Sequence, residues 1–245
     1  MEGRNIYPKL EVEELEAAGV FGILNNPEEA REYIGDTLWH LEALVYHFDR
    51  FRAFACNKRR ELCWGSSVAM DAEVVSFIFS LHSLMEGVPY GVAVCLDSRG
   101  FSMKSKNGDL SSYSWKEYYA DFSALADGHE FSRLRALIKR FRGKTSDAQF
   151  INKEYELLHE LANVIKHRSP IRLTLPSHLQ NDMSYRRSSK ELGTCDLVFR
   201  KAAACQSGLI EGQNVMDALV RMHDNLTFTY TDIRVELLRL MHLVK

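Results

Sequence analysis

The strongest constraint on the fold is a three-four recurrence of apolar residues near each end of the chain. Val215, Leu219, Met222, Leu226, Tyr230, Ile233, Leu237, Leu240 and Val244 keep that spacing without a break. Residues so spaced fall on one stripe of an α-helix. A second series, Ile34, Leu38, Leu41, Val45, Phe48, Arg52 and Ala55, has Arg52 as its one polar member. Its start is signalled by Asn25-Asn26-Pro27-Glu28-Glu29, a cap residue followed by Pro and acids in the first turn. The spacing predicts helices over about 27–58 and 215–244. Helices of that length need a cover for their stripes, either each other or a second subunit.

Between them, Gly65-Ser66-Ser67 opens a segment from Val68 to Met85 that is nearly all apolar. It reads as a buried helix. Gly87, Pro89 and Gly91 interrupt it, and Val92–Leu96 is either a kinked continuation or a buried strand, because periodicity does not separate the two. Asp97–Gly100 reads as a turn and 102–114 as a loop or small hairpin. Two shorter helices are expected at 115–125 and 130–142, then one at 148–168 capped by Asp147. Residues 169–195 are polar and irregular, apart from a short strand at 171–175. A short helix or strand is expected within 192–204. The expectation is one mostly all-α domain over 27–245, with two long amphipathic helices, room for a small β-hairpin insertion, and an N-terminal arm over 1–26.

The chain has 245 residues, 46% of them hydrophobic, enough for one sizeable core. Its net charge of -2 leaves no global footprint for nucleic acid, so any such contact has to come from a local basic patch. The apolar runs are broken by charges, Gly or Pro, so no membrane span is expected, nor is a signal peptide. The five cysteines, Cys56, Cys63, Cys95, Cys195 and Cys205, contain no Cys-x-x-Cys pair. They read as small core residues in a reducing, cytoplasmic setting.

Chemistry is concentrated at the end of the 148–168 helix. His159, Asn163 and His167 are four apart and share a stripe, with Glu156 and Lys166 beside it. Tyr155, Leu158, Ala162 and Ile165 form the apolar side. Arg168 follows, and Pro170 cannot continue the helix. An imidazole, an amide and two cations gathered there suit a phosphate. They equally suit a solvated helix end, where cations are favoured by the helix dipole.

Other groups carry weaker signals. Glu156-Leu157-Leu158-His159 matches half of a carboxylate-bridged dimetal bundle, but no second Glu-x-x-His exists in the chain, so no metal site is expected. His82 and Glu86 lie four apart in the most apolar segment and must find partners there. They read as a buried hydrogen-bonded pair or as groups supporting the motif helix. His40 and His47, seven apart, read as half-buried residues between helices. Arg133, Arg135, Lys139, Arg140, Arg142 and Lys144 make the 130–142 helix basic and read as a solvated face. Tyr113, Trp115, Tyr118, Tyr119 and Phe122 read as core. Gly-rich phosphate loops and nucleophile elbows are missing from the sequence.

The order of a long helix, an apolar helix with embedded Ser, His and Glu, a charged connector, a helix ending Asn163-x-x-Lys166-His167-Arg168, and a long final helix resembles HEPN-domain proteins. More narrowly, it is similar to a bacterial HEPN-like subgroup with such a motif helix. The resemblance implies a helical bundle that dimerises through paired motif helices, and a metal-independent ribonuclease with no cofactor. By that likeness His167 takes the place of the family histidine, acting as general acid/base, and Asn163 the polar position beside it. Ala162 stands where the family has arginine, and a methyl group offers a phosphate no charge. Lys166 or Arg168 would then contact phosphate, with His159, Glu156, His82 and Glu86 in support.

The functional expectation is an RNA- or nucleotide-binding homodimer, a weak or degenerate ribonuclease of a stress or defence system. The rival is a non-enzymatic helical homodimer that acts as a protein-interaction module.

Overall fold

In the computed structural model the described residues are 27–55, 64–101, 103, 110–122, 129–140, 142, 152–167, 173–174, 198–199 and 213–241. They form α1 (Pro27–Ala55), α2 (Trp64–Glu86), α3 (Val88–Ser98), α4 (Trp115–Phe122), α5 (Ser132–Lys139), α6 (Lys153–His167) and α7 (Val215–Leu240). Short 3-10 turns lie at Leu110–Ser112 and His129–Phe131. The protein is mostly α-helical, as its periodicity predicts. Its described β-structure is one antiparallel pair, β1 (Leu173–Thr174) with β2 (Val198–Phe199), in register Leu173↔Phe199 and Thr174↔Val198. β1 falls within the 171–175 stretch expected to form a short strand, and β2 within 192–204, where a short helix or strand is expected.

The expectations for the 1–26 arm, Asn57–Arg60, the 104–109 loop, the Asp147 cap and the 175–195 segment lie outside the described residues. So do Arg168, Lys144 and the cysteines other than Cys95.

The helix ends follow from local chemistry. Asn214 caps α7, its Oδ1 accepting from the Asp217 backbone N–H at 3.1 Å. Ser114 and Glu117 form a capping box on α4. The Ser114 backbone N–H donates to Glu117 Oε2 at 3.1 Å, and the Lys116 N–H donates to Ser114 Oγ at 3.2 Å. Gly87 separates α2 from α3, and Pro89 sits in the first turn of α3, where a missing N–H costs nothing. Val92–Leu96 is therefore part of a second helix rather than a strand. Taken together, Val68–Ser98 is long and apolar enough to span a membrane by length and composition, contrary to the expectation from its breaks. Half of its most apolar window is buried within the fold.

The seam of α7 is as expected: Val215, Leu219, Met222, Leu226, Tyr230, Ile233, Leu237 and Leu240 are all buried. The seam of α1 is shifted from the predicted series in its second half. Ala30, Ile34, Thr37, Leu44 and Phe51 are buried, with Leu41 and Phe48 half-buried, whereas Val45 is 51% exposed and Arg52 is exposed.

The chain clusters into two compact units. The first draws on Met1–Glu42, Ser83–Asn152 and Phe228–Lys245. Its core centres on Tyr33. The Tyr33 hydroxyl lies 3.5 Å from that of Tyr230, and its ring meets Tyr90 edge-on at 5.7 Å. Arg99 donates to the Leu240 carbonyl at 3.0 Å and pairs with Glu130. The second unit draws on Ala43–His82 and Lys153–Thr227. There Phe48 packs on Phe77 and stacks on His223 at 5.0 Å, and His47 Nδ1 meets Glu73 Oε2 at 2.7 Å.

Candidate functional site

The helix α6 carries its polar groups on one arc. Tyr155, Leu157, Leu158, Leu161, Ala162 and Val164 are buried. Glu156, His159, Glu160 and Asn163 are half-buried, and Lys166 is exposed. The buried arc is wider than the four-residue stripe read from the sequence. Ile165, expected on the apolar side, is only half-buried. Acids at Glu154 and Glu156 sit in the first turn, where the helix dipole favours them. Glu156 is tied to Lys153 at 2.9 Å, an i,i+3 pair on the surface of the helix. It therefore has a local partner of its own.

His82 is the group that reaches α6 from another helix. It is buried, and its Nε2 stands 3.3 Å from Nδ1 of His159. The two rings are tilted by 32° with centroids 5.4 Å apart, and Tyr155 meets the His159 ring edge-on at 6.4 Å. His82 thus meets the motif helix two turns before His167. Of the residues singled out from the sequence, His82 and His159 are brought together. Asn163 and Lys166 lie further along the same helix. His167 closes α6 as its last residue.

Glu86 lies one turn beyond His82 on the same side of α2. Its Oε1 is 3.7 Å from Nη1 of Arg142, whose side chain is 8% exposed. Arg142 also lies 4.4 Å above the Trp115 ring. Burial raises the pKa of the Tyr119 hydroxyl, and Arg142, hydrogen-bonded to it, pulls that value back. The basic run predicts a solvated face for Arg142, yet its side chain is buried. Its stacking on Trp115 and pairing with Glu86 offset part of the cost of taking the cation out of water. Its neighbours are partnered too: Arg133 reaches the buried Glu236 at 3.4 Å and Arg140 reaches Asp232 at 3.4 Å. Arg133, Lys139 and Arg140 nonetheless stay exposed, in keeping with a solvated face, and Arg142 is the member of the run that is buried. Trp115, Tyr118 and Tyr113 are buried, in keeping with a core role.

His40 and His47 take separate environments despite sharing a helix face. His47 pairs with Glu73, which also has Arg50 at 3.5 Å. The pKa of His40 is lowered, chiefly by burial and against the opposing pull of Asp36.

Comparison with known proteins adds no further constraint: no family model, curated protein or solved structure matches this chain.

Proposed function

We propose that this is an HEPN-like helical protein that binds RNA or a nucleotide along the polar arc of α6. Any ribonuclease activity would be weak and metal-independent. The observation that supports the reading is the partly open arc of His159, Asn163 and exposed Lys166 on a helix that ends at His167. On this reading His167 moves the proton at the 2'-hydroxyl or the leaving oxygen, Asn163 orients it, and Lys166 with Arg168 meets the phosphate. Ala162 is buried and supplies no charge, so phosphate binding rests on those two cations and cleavage is slow.

The test is binding and cleavage of total RNA by the wild type beside His167→Ala and Lys166→Ala. Lys166→Ala should weaken binding and flatten its dependence on salt, because each phosphate that a cation neutralises releases about one counterion. Cleavage at equal rates by the wild type and His167→Ala removes His167 from the chemistry. Binding that ignores both salt and Lys166 removes the phosphate reading altogether.

A second reading, a helical interaction module that also includes homodimers, is favoured by one specific observation. Trp39 and Tyr46 on α1 and Phe228 on α7 are 62%, 57% and 74% exposed. Large aromatic side chains left in water are common at sites that bind another protein.

A further inference from the structure

The pairing of His82 with His159 has a second chemical meaning. Their facing nitrogens are 3.3 Å apart, longer than a good N–H···acceptor hydrogen bond. Two imidazole nitrogens bound to one tetrahedral zinc ion at about 2.0–2.1 Å are separated by about 3.3 Å, the edge of the tetrahedron. The separation observed therefore fits a shared ion as well as it fits a long hydrogen bond. One turn along α2 from His82 stands Glu86, with a carboxylate oxygen within 4.8 Å of the ligating nitrogens of both imidazoles. Both residues belong to the same unbroken helix, so helix geometry fixes Glu86 relative to His82. A carboxylate has two oxygens and about four acceptor sites, so the pairing of Oε1 with Arg142 is compatible with ligation. Arg142 would then orient the ligand from behind, as outer groups do at metal sites.

We propose that His82 Nε2, His159 Nδ1 and the Glu86 carboxylate bind one divalent transition-metal ion of the zinc class. Imidazole and carboxylate select such ions over calcium or magnesium, which take oxygen-only sets. The burial of His82 gives the ion a dry inner side, and half-buried His159 leaves a route for it to enter. The ion ties α2 to α6 and leaves one coordination position for water. The site is a clamp on the motif helix and is independent of the RNA reading, because ion binding needs no nucleic acid.

The experiment titrates chelator-treated full-length protein with cobalt(II), then zinc. The expected result is one cobalt per chain with the visible absorption of a tetrahedral site, displaced by zinc. Zinc at a hundredfold excess over its Kd should raise Tm by roughly 5–10 °C. His159→Gln and Glu86→Gln should each weaken cobalt binding tenfold or more while keeping the helical circular-dichroism signal of the apoprotein. His47→Ala should leave binding unchanged. No tetrahedral spectrum with the wild type, or the same affinity in His159→Gln, overturns the proposal. If His82→Ala fails to fold, the His159 and Glu86 variants still decide.

Discussion

Gly91 offers the sharpest test of how the first unit is packed. It lies in the middle of α3, where glycine is disfavoured relative to alanine by about 1 kcal/mol. On propensity alone, Gly91→Ala should stabilise the protein by that amount. The structure reverses the sign. A Cβ built on Gly91 would sit 2.4 Å from both Cζ and Oη of Tyr33 and 2.7 Å from Cε2. The Tyr33 ring is itself 1% exposed and held at its hydroxyl end by Tyr230, so it cannot swing into water. Forcing one methyl into a filled core costs about 1–3 kcal/mol. Disturbing the long Tyr33–Tyr230 hydrogen bond adds about 0.5–1 kcal/mol. After the helix-propensity gain of about 1 kcal/mol, the net loss is about 0.5–3 kcal/mol, which for a chain of this length lowers Tm by roughly 1–12 °C. Urea denaturation of the wild type, Gly91→Ala, Tyr33→Leu and the double variant closes a thermodynamic cycle. In the Tyr33→Leu background the obstructing ring atoms are gone, so Gly91→Ala should be neutral or stabilising there. An unchanged penalty in that background, or a stabilised single variant, would refute the argument.

Further expectations concern single groups. Burial pushes the Cys95 thiol up to about 12, so at pH 8 iodoacetamide should modify it only in denaturant; rapid labelling at Cys95 itself in the native protein, read by peptide mass spectrometry, contradicts its burial. The folded pKa of His40 lies below its unfolded value of 6.5, so its contribution is intact above that pH and is lost as pH falls through the folded pKa. Hence Tm should drop less between pH 7.5 and pH 5.5 in His40→Gln than in the wild type, and an equal drop rules His40 out. Arg142→Lys removes both the stacked guanidinium and its reach to Glu86, which predicts a loss of about 1–2 kcal/mol by urea titration. An R142K protein as stable as the wild type would mean the stack contributes nothing. Trp39→Ser and Phe228→Ser should change stability by under about 0.5 kcal/mol, since both side chains face water; a larger loss shows that something covers them.

How legible the fold is depends on how much redundancy each helix carries. The α7 seam repeats for seven turns with no competing register, so one reading fits and the structure has it. The α1 sequence allows two neighbouring series. One runs through Val45 and Arg52, the other through Leu44 and Phe51. Both look apolar because this helix has aromatic or aliphatic residues on most sides, Trp39 and Tyr46 among them. Arg52 is the deciding signal. A charge in an otherwise apolar stripe costs several kcal/mol if buried alone, so the adjacent series with Phe51 in that place is the stable one. Arg142 misleads in the opposite direction. A run of basic residues reads as a solvated face, and nothing local reports that Trp115, Tyr119 and Glu86 will surround one of them.

The candidate site shows the same limit in a more useful form. A buried histidine in a long, strongly apolar helix demands a partner, because an unsatisfied buried polar group costs about 1–3 kcal/mol. The sequence therefore requires His82 to meet something polar. It does not say what, since the partner, His159, lies 77 residues away. The dimetal pattern misses this cluster for a related reason. It requires a second Glu-x-x-His, which is tied to one way of approaching an ion from one helix. His82-x-x-x-Glu86 offers the same two donor types in the opposite order and at four-residue spacing, which also places them on one face. What decides coordination is the convergence of donor atoms, and a motif is a shorthand for it that holds only while the helices keep the family's arrangement. A buried histidine and a carboxylate one turn apart on an apolar helix are thus the better sequence signal here, with the facing residue supplied by the fold.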